Sequence, residues 1–133
     1  MIVVDTNVLA YLYLQGQHTS QAEAARRKDR YWVAPRLWRS EFRNVLGLYM
    51  RKERLSLVEA RQIMDNATEL MLDWEYEITS YQVLDLIAQS TCTAYDCEFV
   101  ALAQELEVPL VTTDRQILNQ YPNIAVSLDT FLD

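Results

Sequence analysis

The sequence predicts an α/β domain with a mostly parallel central sheet. Short β-branched, apolar runs alternate along the 133 residues with longer segments that carry helix-capping residues. Half of the residues are hydrophobic and 23% are charged, which is typical of one globular domain spanning residues 1–133. Two glycines and three prolines leave no room for a linker or a glycine-rich phosphate loop.

The first elements follow from an apolar run and two capping segments. Residues 2–4 are β-branched and wholly apolar, as in a buried parallel strand. Asp5 then offers a helix cap, and residues 8–12 have the composition of a helical turn. Ser20 is predicted to open a polar helix through a capping box, and this helix runs to residue 28.

A second strand and two longer helices come next. Residues 31–34 form another short apolar run, and Pro35 suits the first position of a helix over residues 36–51. Ser56 begins a capping box that opens a helix to about residue 72.

The second half of the chain repeats the alternation of strand and helix. Its predicted elements are a weak strand at 76–78, a helix at 81–89, a helix capped by Thr93 to about residue 107, a strand at 110–112, a short helix around Gln116 and a strand at 124–126.

Two acidic residues follow predicted strands directly. Asp5 comes after the first strand, and Asp114 lies two residues beyond the strand at 110–112. In open parallel sheets ligands bind beyond the carboxyl ends of the strands. Each aspartate could equally be a simple helix cap, worth about 1 kcal/mol.

Glu41 stands among apolar residues on the helix predicted at 36–51. Spacings of three and four place it on one face with Leu37, Val45 and Leu48. A carboxylate in an apolar stripe is costly unless a cation or hydrogen-bond donors compensate it. Asn44 could donate such a bond, or Glu41 could lie at the edge of the stripe and reach water.

Asp96 has two interpretations. It follows Thr93 by three residues, which is the spacing of a capping box. It also aligns with Val100 and Ala103 on the face that is predicted to be buried, so its carboxylate would lie near the strand ends.

An empty cluster of these acids would be destabilising, because like charges repel and burial disfavours ionised carboxylates. A hard divalent cation removes that cost, and Mg²⁺ or Mn²⁺ prefers oxygen ligands and binds phosphates. The pattern therefore indicates metal-assisted chemistry on a phosphoryl group.

Four segments that carry these acids resemble motifs of the PIN-domain family, and more narrowly its VapC-like toxins of toxin–antitoxin pairs. They are IVVDTNVL at 2–9, SEFRNVL at 40–46, AYDCEFVALA at 94–103 and LVTTD at 110–114. Each motif alone is weak, but four in order at suitable spacings are specific. The resemblance covers nearly the whole chain.

The resemblance implies a three-layer α/β/α sandwich and a metal-dependent endoribonuclease. It places four catalytic acids around Mg²⁺ or Mn²⁺, with Asp5 and Asp96 as the main ligands and Asp114 and Glu41 completing the cluster or orienting water. Candidate supporting residues are Asn7, Thr112 and Asn44, whose polar groups could instead serve only turns and strand ends. Whether one metal or two act stays open. The resemblance also implies an RNA substrate, a cognate antitoxin protein and a homodimer.

The net charge of −7 is unevenly distributed. Eleven of the 12 cationic residues, but only four of the 19 acidic ones, lie between Arg26 and Arg61. Within this segment Arg36, Arg39 and Arg43 form a stripe at helical spacing beside Glu41. The stripe could bind RNA phosphates, receive acidic residues of an antitoxin, or be an ordinary solvated face.

Several classes of protein are disfavoured by the sequence. No apolar run approaches the roughly 20 residues that cross a bilayer, and the first residues do not resemble a signal peptide. Two cysteines and one histidine fit neither a disulfide framework nor a zinc site. We therefore expect a reduced, cytoplasmic protein that does not associate with membranes.

Other functions compete with a toxin ribonuclease. A receiver domain needs an acidic pair after its first strand and a late lysine, yet no lysine follows Lys52. A haloacid-dehalogenase-like phosphatase needs Asp-x-Asp, and Asn7 occupies the second acidic position. A PIN nuclease of RNA processing, or a non-catalytic module whose acids only cap helices and whose arginines bind a protein, remains an alternative.

Overall fold

A five-stranded sheet, parallel throughout, forms the centre of the molecule. The computed structural model describes all residues from 1 to 133. The strands are β1 (Ile2–Val4), β2 (Trp32–Pro35), β3 (Glu75–Tyr76), β4 (Leu110–Thr112) and β5 (Ala125–Ser127). Their order is β3-β2-β1-β4-β5, so the chain leaves β1 and β4 in opposite directions. This switch point creates a crevice at the carboxyl ends of β1 and β4.

Eight helices surround the sheet. They are α1 (Thr6–Tyr13), α2 (Thr19–Lys28), α3 (Trp38–Arg51), α4 (Leu57–Met71), α5 (Ser80–Gln89), α6 (Ala94–Leu106), α7 (Arg115–Gln120) and α8 (Leu128–Leu132). Helices α1 to α4 pack against one another, whereas α5 packs on α6, which crosses β1, β2 and β4. Right-handed crossovers place these two groups on opposite faces of the sheet. The α/β/α sandwich with a parallel sheet is thus confirmed.

The core explains which face of α3 points inward. Trp38, Phe42 and Leu46 are buried, while Leu48 is exposed and Val45 is only half-buried. The prediction that Glu41 shares a buried stripe with Leu48 is therefore wrong. Glu41 lies one row to the side of the buried face, at the edge where the helix meets solvent.

Two predicted helix starts differ from the structure. Pro35 ends β2, where it pairs with Tyr76 of β3, and α3 begins three residues later at Trp38. Ser20 lies inside α2, which begins at Thr19 without a side-chain cap, so the predicted capping box there is wrong. The Thr19 hydroxyl instead donates to the Leu14 carbonyl and ties the preceding loop to the helix.

Local capping chemistry is otherwise as predicted. Ser56 and Glu59 form both hydrogen bonds of a capping box at the start of α4. Thr93 caps α6. The sequence reasoning did not predict α8, which Ser127 caps at the end of β5. None of the helices is both long enough and apolar enough to cross a membrane.

Candidate active site

Asp5 and Asp114 cap helices at the carboxyl ends of the two central strands. The Asp5 carboxylate accepts a hydrogen bond from the Thr6 amide at 2.7 Å through Oδ1. Asp114 Oδ1 accepts from the amides of Gln116 at 2.9 Å and Ile117 at 3.1 Å. Both aspartates are therefore N-caps, and because their helices start in the crevice, the same residues also border it.

Thr112 joins these two aspartates. Its hydroxyl is fully buried and donates to Asp5 Oδ2 at 2.6 Å, while the same oxygen accepts from the Asp114 amide at 3.0 Å. The Thr112 side chain on β4 thus fixes the orientation of the Asp5 carboxylate, which follows β1. Thr112 was predicted as a hydrogen-bond donor to the site, and in the structure its hydroxyl donates to Asp5.

Glu41 is held by a residue on another element. The Thr6 hydroxyl, on the first turn of α1, donates to Glu41 Oε1 at 2.7 Å. Thr6 therefore contacts two acids, Asp5 through its amide and Glu41 through its hydroxyl. Asn44, predicted to orient Glu41, makes no side-chain hydrogen bond.

Asp96 enters from the third element. It is the third residue of α6, its amide donates to the Thr93 hydroxyl at 3.1 Å, and its side chain is half-buried. Burial and the charge of Asp114 raise the pKa of Asp96, and hydrogen bonding with Thr93 partly opposes that rise.

The four acids border one open cavity of about 410 Å³. Its lining residues are Asp5, Thr6, Asn7, Leu37, Ser40, Glu41, Asn44, Val45, Tyr95, Asp96 and Asp114. The structure thus brings together six of the seven predicted acidic and supporting residues. The seventh, Thr112, lies behind Asp5 rather than in the cavity wall.

Burial and mutual repulsion shape the electrostatics of the cavity. Burial raises the pKa of Asp5 from 3.8 to about 6, and the negative charges of Asp96 and Asp114 add to the rise. The hydrogen bonds from Thr112 and the Thr6 amide oppose it. Asp5 is therefore an ionisable group poised near neutral pH in the absence of a cation.

The pKa of Glu41 is also raised above its usual value. Burial raises its pKa, the Thr6 hydroxyl lowers it, and the charges of Asp5, Asp96 and Glu98 raise it further. Burial also raises the pKa of Glu98, an acid that the sequence reasoning did not single out. Several partly buried carboxylates therefore lie close together, and their ionised forms are destabilised unless a cation or hydrogen-bond donors balance the charge.

The donor set of the cavity consists of oxygen atoms and two asparagine amides, without histidine or cysteine. No three acidic, histidine or cysteine side chains converge tightly enough to form a ready-made metal cage. Oxygen donors bordering an open cavity suit a hard divalent cation that keeps part of its water shell.

A sequence profile of the PIN domain matches residues 2–123. The chain belongs to the PIN domain family. Ribonuclease VapC3 of Pyrobaculum aerophilum is 27% identical over 124 residues, covering 91% of this chain and 95% of that protein.

Two solved structures share the fold of this PIN domain. PAE2754 from Pyrobaculum aerophilum superposes with a TM-score of 0.78 at 20% identity, covering 98% of this chain and 92% of that one. FitAcB from Neisseria gonorrhoeae gives a TM-score of 0.71 at 18% identity, with 96% of each chain covered. At these identities the two structures establish the common architecture.

The three predicted arginines border a second cavity of about 460 Å³ in the PIN domain. Leu37 and Ser40 line both this cavity and the acidic one, so the two are adjacent. The arginine stripe therefore lies next to the acids, as its helical spacing suggested.

The three arginines are not equivalent. Arg39 donates to both carboxylate oxygens of Glu75, at 2.6 and 2.7 Å, and Trp38 Nε1 donates to the same carboxylate at 2.7 Å. Burial alone would raise the pKa of Glu75, but these hydrogen bonds hold it below its usual range, and the Glu75 carboxylate raises the pKa of Arg39. Arg39 thus ties α3 to β3 and is a structural residue.

Arg36 and Arg43 are exposed. Arg43 makes only hydrogen bonds within α3, to the Arg39 carbonyl and the Ser40 hydroxyl, and the Arg36 guanidinium makes none. Neither cation forms an ion pair, so both can bind an anion from solution, in a cavity that Glu77 and Glu98 also line.

Two residues that line the acidic cavity, Thr6 and Tyr95, were not among the predicted site residues, nor was Glu98, which lines the neighbouring cavity and whose charge acts on Glu41. Thr6 lies within the motif at residues 2–9, but nothing local indicates that its hydroxyl reaches Glu41, 35 residues further along the chain. Glu98 and Tyr95 lie within a recognised motif, so their proximity to Asp96 was a usable signal.

Proposed function

We propose that this PIN domain is a metal-dependent endoribonuclease that hydrolyses RNA phosphodiester bonds. The observation that carries the proposal is the gathering of Asp5, Glu41, Asp96 and Asp114 around one open cavity at the carboxyl edge of the sheet. Similarity to Ribonuclease VapC3 over nearly the whole chain supports RNA as the substrate.

Mg²⁺ or Mn²⁺ fits the residues that are present. We assign Asp5 and Asp96 as the main ligands, directly or through water, and Asp114 and Glu41 as groups that complete the site or orient water. Mg²⁺ is commonly held by one or two carboxylates together with water and phosphate oxygens, so a tight protein cage is not required. When bound, the ion would lower the pKa of a water molecule, polarise the phosphate and neutralise developing charge.

The protein's own groups prepare this chemistry. Thr112 and Thr6 hold Asp5 and Glu41 in fixed orientations through hydrogen bonds of 2.6 and 2.7 Å. Fixed carboxylates need little reorganisation when charge develops on the phosphate. Asn7 and Asn44 face the cavity with amide groups that can donate to phosphate oxygens or position water.

Arg36 and Arg43 supply the complementary charge. They border the neighbouring cavity without a carboxylate partner, and we assign them to the phosphates that flank the cleaved bond. Arg39 is left out of this role because Glu75 occupies its guanidinium.

Cleavage of structured and unstructured RNA by the purified protein tests the proposal. With Mg²⁺ or Mn²⁺ we expect the wild-type protein to cleave, and Asp5→Asn and Asp96→Asn to lose at least about two orders of magnitude in rate. Asp85→Asn, an exposed acid on α5, is the matched control and should cleave normally. Equal cleavage by the wild-type protein and the two site variants would refute the assignment of these acids.

We further propose that the protein is the toxin of a toxin–antitoxin pair, acting on cytoplasmic RNA as a homodimer. The similarity to Ribonuclease VapC3 supports the toxin role, and Arg36 and Arg43 offer cations to acidic residues of an antitoxin. Expression should arrest growth, Asp5→Asn should abolish the arrest, and a small protein encoded beside this gene should relieve it. Growth arrest that persists in the Asp5→Asn variant would exclude a toxic nuclease, and light scattering would test the homodimer.

A further inference from the structure

Tyr95 is an exposed aromatic residue at the rim of the acidic cavity. It is the second residue of α6, directly before Asp96, and the residue is 60% exposed. Its hydroxyl makes no hydrogen bond, and its ring pairs with no other aromatic ring. By contrast, Tyr11 bonds Thr113 through its hydroxyl. The fold therefore makes no evident use of the Tyr95 side chain.

Two further apolar side chains line the cavity, together with Ser40, Glu41 and Asn44 of α3. Leu37 and Val45, both from the α3 side, line the cavity that Tyr95 and the acids share. A metal ion would interact with the carboxylates and a phosphate with that ion, and neither gains anything from a phenol ring or aliphatic groups. A cavity lined by both carboxylates and apolar side chains instead suits a ligand with a charged backbone and a flat, weakly polar appendage.

A nucleotide has this arrangement. In a nucleotide whose phosphate lay near Asp96, the base would be one ribose away, and Tyr95, the residue directly before Asp96, lines the same cavity. Stacking of a base on an aromatic side chain contributes about 1–3 kcal/mol and tolerates any base, because every base has a π face. A base can stack in this way only where it is not enclosed in a duplex.

We propose that Tyr95 stacks one unpaired base of the RNA beside the cleaved phosphate, with Leu37 and Val45 as further apolar contacts in the same cavity. This inference rests on the proposed ribonuclease function and adds a residue that positions the substrate. Phenylalanine would serve equally, since the ring provides the stacking and the hydroxyl is unpartnered.

Binding of a short single-stranded RNA that carries 2-aminopurine tests the proposal without requiring cleavage. In the Asp5→Asn background we expect fluorescence quenching of 2-aminopurine at one position of the RNA. Tyr95→Phe should preserve affinity and quenching, whereas Tyr95→Ala should lose the quenching and bind about 5- to 150-fold more weakly. Tyr81→Ala removes a tyrosine that is 82% exposed at the same position of α5 and should change nothing.

An abasic RNA makes the test specific. When the base at the quenched position is removed, wild-type Tyr95 and Tyr95→Ala should bind the RNA equally. An unchanged affinity of Tyr95→Ala for intact RNA, or the same loss with abasic RNA, would overturn the stacking role. So would a Tyr95→Ala variant that weakens association with an antitoxin and leaves RNA binding intact.

The two proposals can fail separately. Cleavage by Asp5→Asn at the wild-type rate would refute the catalytic assignment, while the comparison of intact with abasic RNA would still report on Tyr95. Thermal unfolding of each variant within about 2 °C of its parent would show that an exposed residue was changed without loss of fold.

Discussion

Replacing Thr112 with valine removes one buried hydroxyl and keeps the shape of the side chain. In the structure this hydroxyl donates to Asp5 Oδ2 at 2.6 Å and accepts from the Asp114 amide at 3.0 Å. Valine leaves the carboxylate with one hydrogen bond fewer and the amide without an acceptor. Thr112→Ser keeps both contacts and is the matched control.

The expected change concerns the pKa of Asp5, which is about 6 because burial outweighs its hydrogen bonds. Losing a hydrogen bond to a charged group costs about 1.5–3 kcal/mol. Because about 1.4 kcal/mol corresponds to one pH unit, the pKa of Asp5 should rise to about 7–8 in Thr112→Val. At pH 7 the ionised fraction of Asp5 then falls from about 90% to about half or less.

NMR titration of carboxyl-labelled aspartates in metal-free protein measures this pKa directly, and the Asp5→Asn spectrum assigns the resonance. Affinity for Mn²⁺ at pH 6.5 should fall in Thr112→Val and recover as the pH rises, since a ligand must be ionised to bind a cation. A titration curve in Thr112→Val that coincides with that of the wild-type protein would refute the reasoning. An equal shift in Thr112→Ser would show that packing, not the hydroxyl, controls Asp5.

Three further predictions follow from contacts of the same site. Between pH 3.8 and about 6 the folded protein keeps a proton on Asp5 that the unfolded chain releases, so the metal-free protein should lose about 3 kcal/mol of stability as the pH rises through this window. Urea unfolding measures this loss. Asp5→Asn should flatten that part of the stability profile, and an unchanged profile in the variant would contradict the prediction. Thr6→Val loses the hydrogen bond to Glu41 and should weaken Mn²⁺ binding, measured by calorimetry, at least about 10-fold, whereas Thr6→Ser should not. Equal Mn²⁺ affinities of Thr6→Val and the wild-type protein would exclude a role for the hydroxyl. Arg39→Ala should lower the free energy of unfolding by about 2 kcal/mol. Arg36→Ala should leave the free energy of unfolding within about 0.5 kcal/mol of the wild-type value and reduce the salt dependence of RNA binding by about one ion. If instead Arg36→Ala destabilised the fold and Arg39→Ala changed only RNA binding, the division between structural and available arginines would be refuted.

Features encoded by neighbouring residues were predictable from the sequence. The strand at residues 2–4, the capping box at Ser56 and the cap at Thr93 each depend on composition and on hydrogen bonds within one helical turn. The predicted start of α3 at Pro35 failed because pairing with Tyr76 of a distant strand keeps Pro35 in β2. Tertiary pairing overrode a local preference of that proline.

The candidate site was predictable to the extent that its acids follow strands or stand in recognisable motifs. The orientation of α3 was not, so the face that Glu41 shares with Leu37 and Val45 was predicted to be buried, whereas it borders the open cavity. Similarly, helical spacing made Arg36, Arg39 and Arg43 look equivalent. Only the position of Glu75, on a strand 36 residues further along the chain, separates Arg39 from the other two.

The sequence by itself determined the parallel α/β class, most of the strands and helices, and the four acidic positions, because these depend on periodicity and on hydrogen bonds between near neighbours. The tertiary structure decided the strand order, the contact between Thr6 and Glu41, the engagement of Arg39 and the exposure of Tyr95. Those features arise where elements far apart in the chain pack together. Such packing is the sum of many weak contacts, and no short stretch of sequence encodes it.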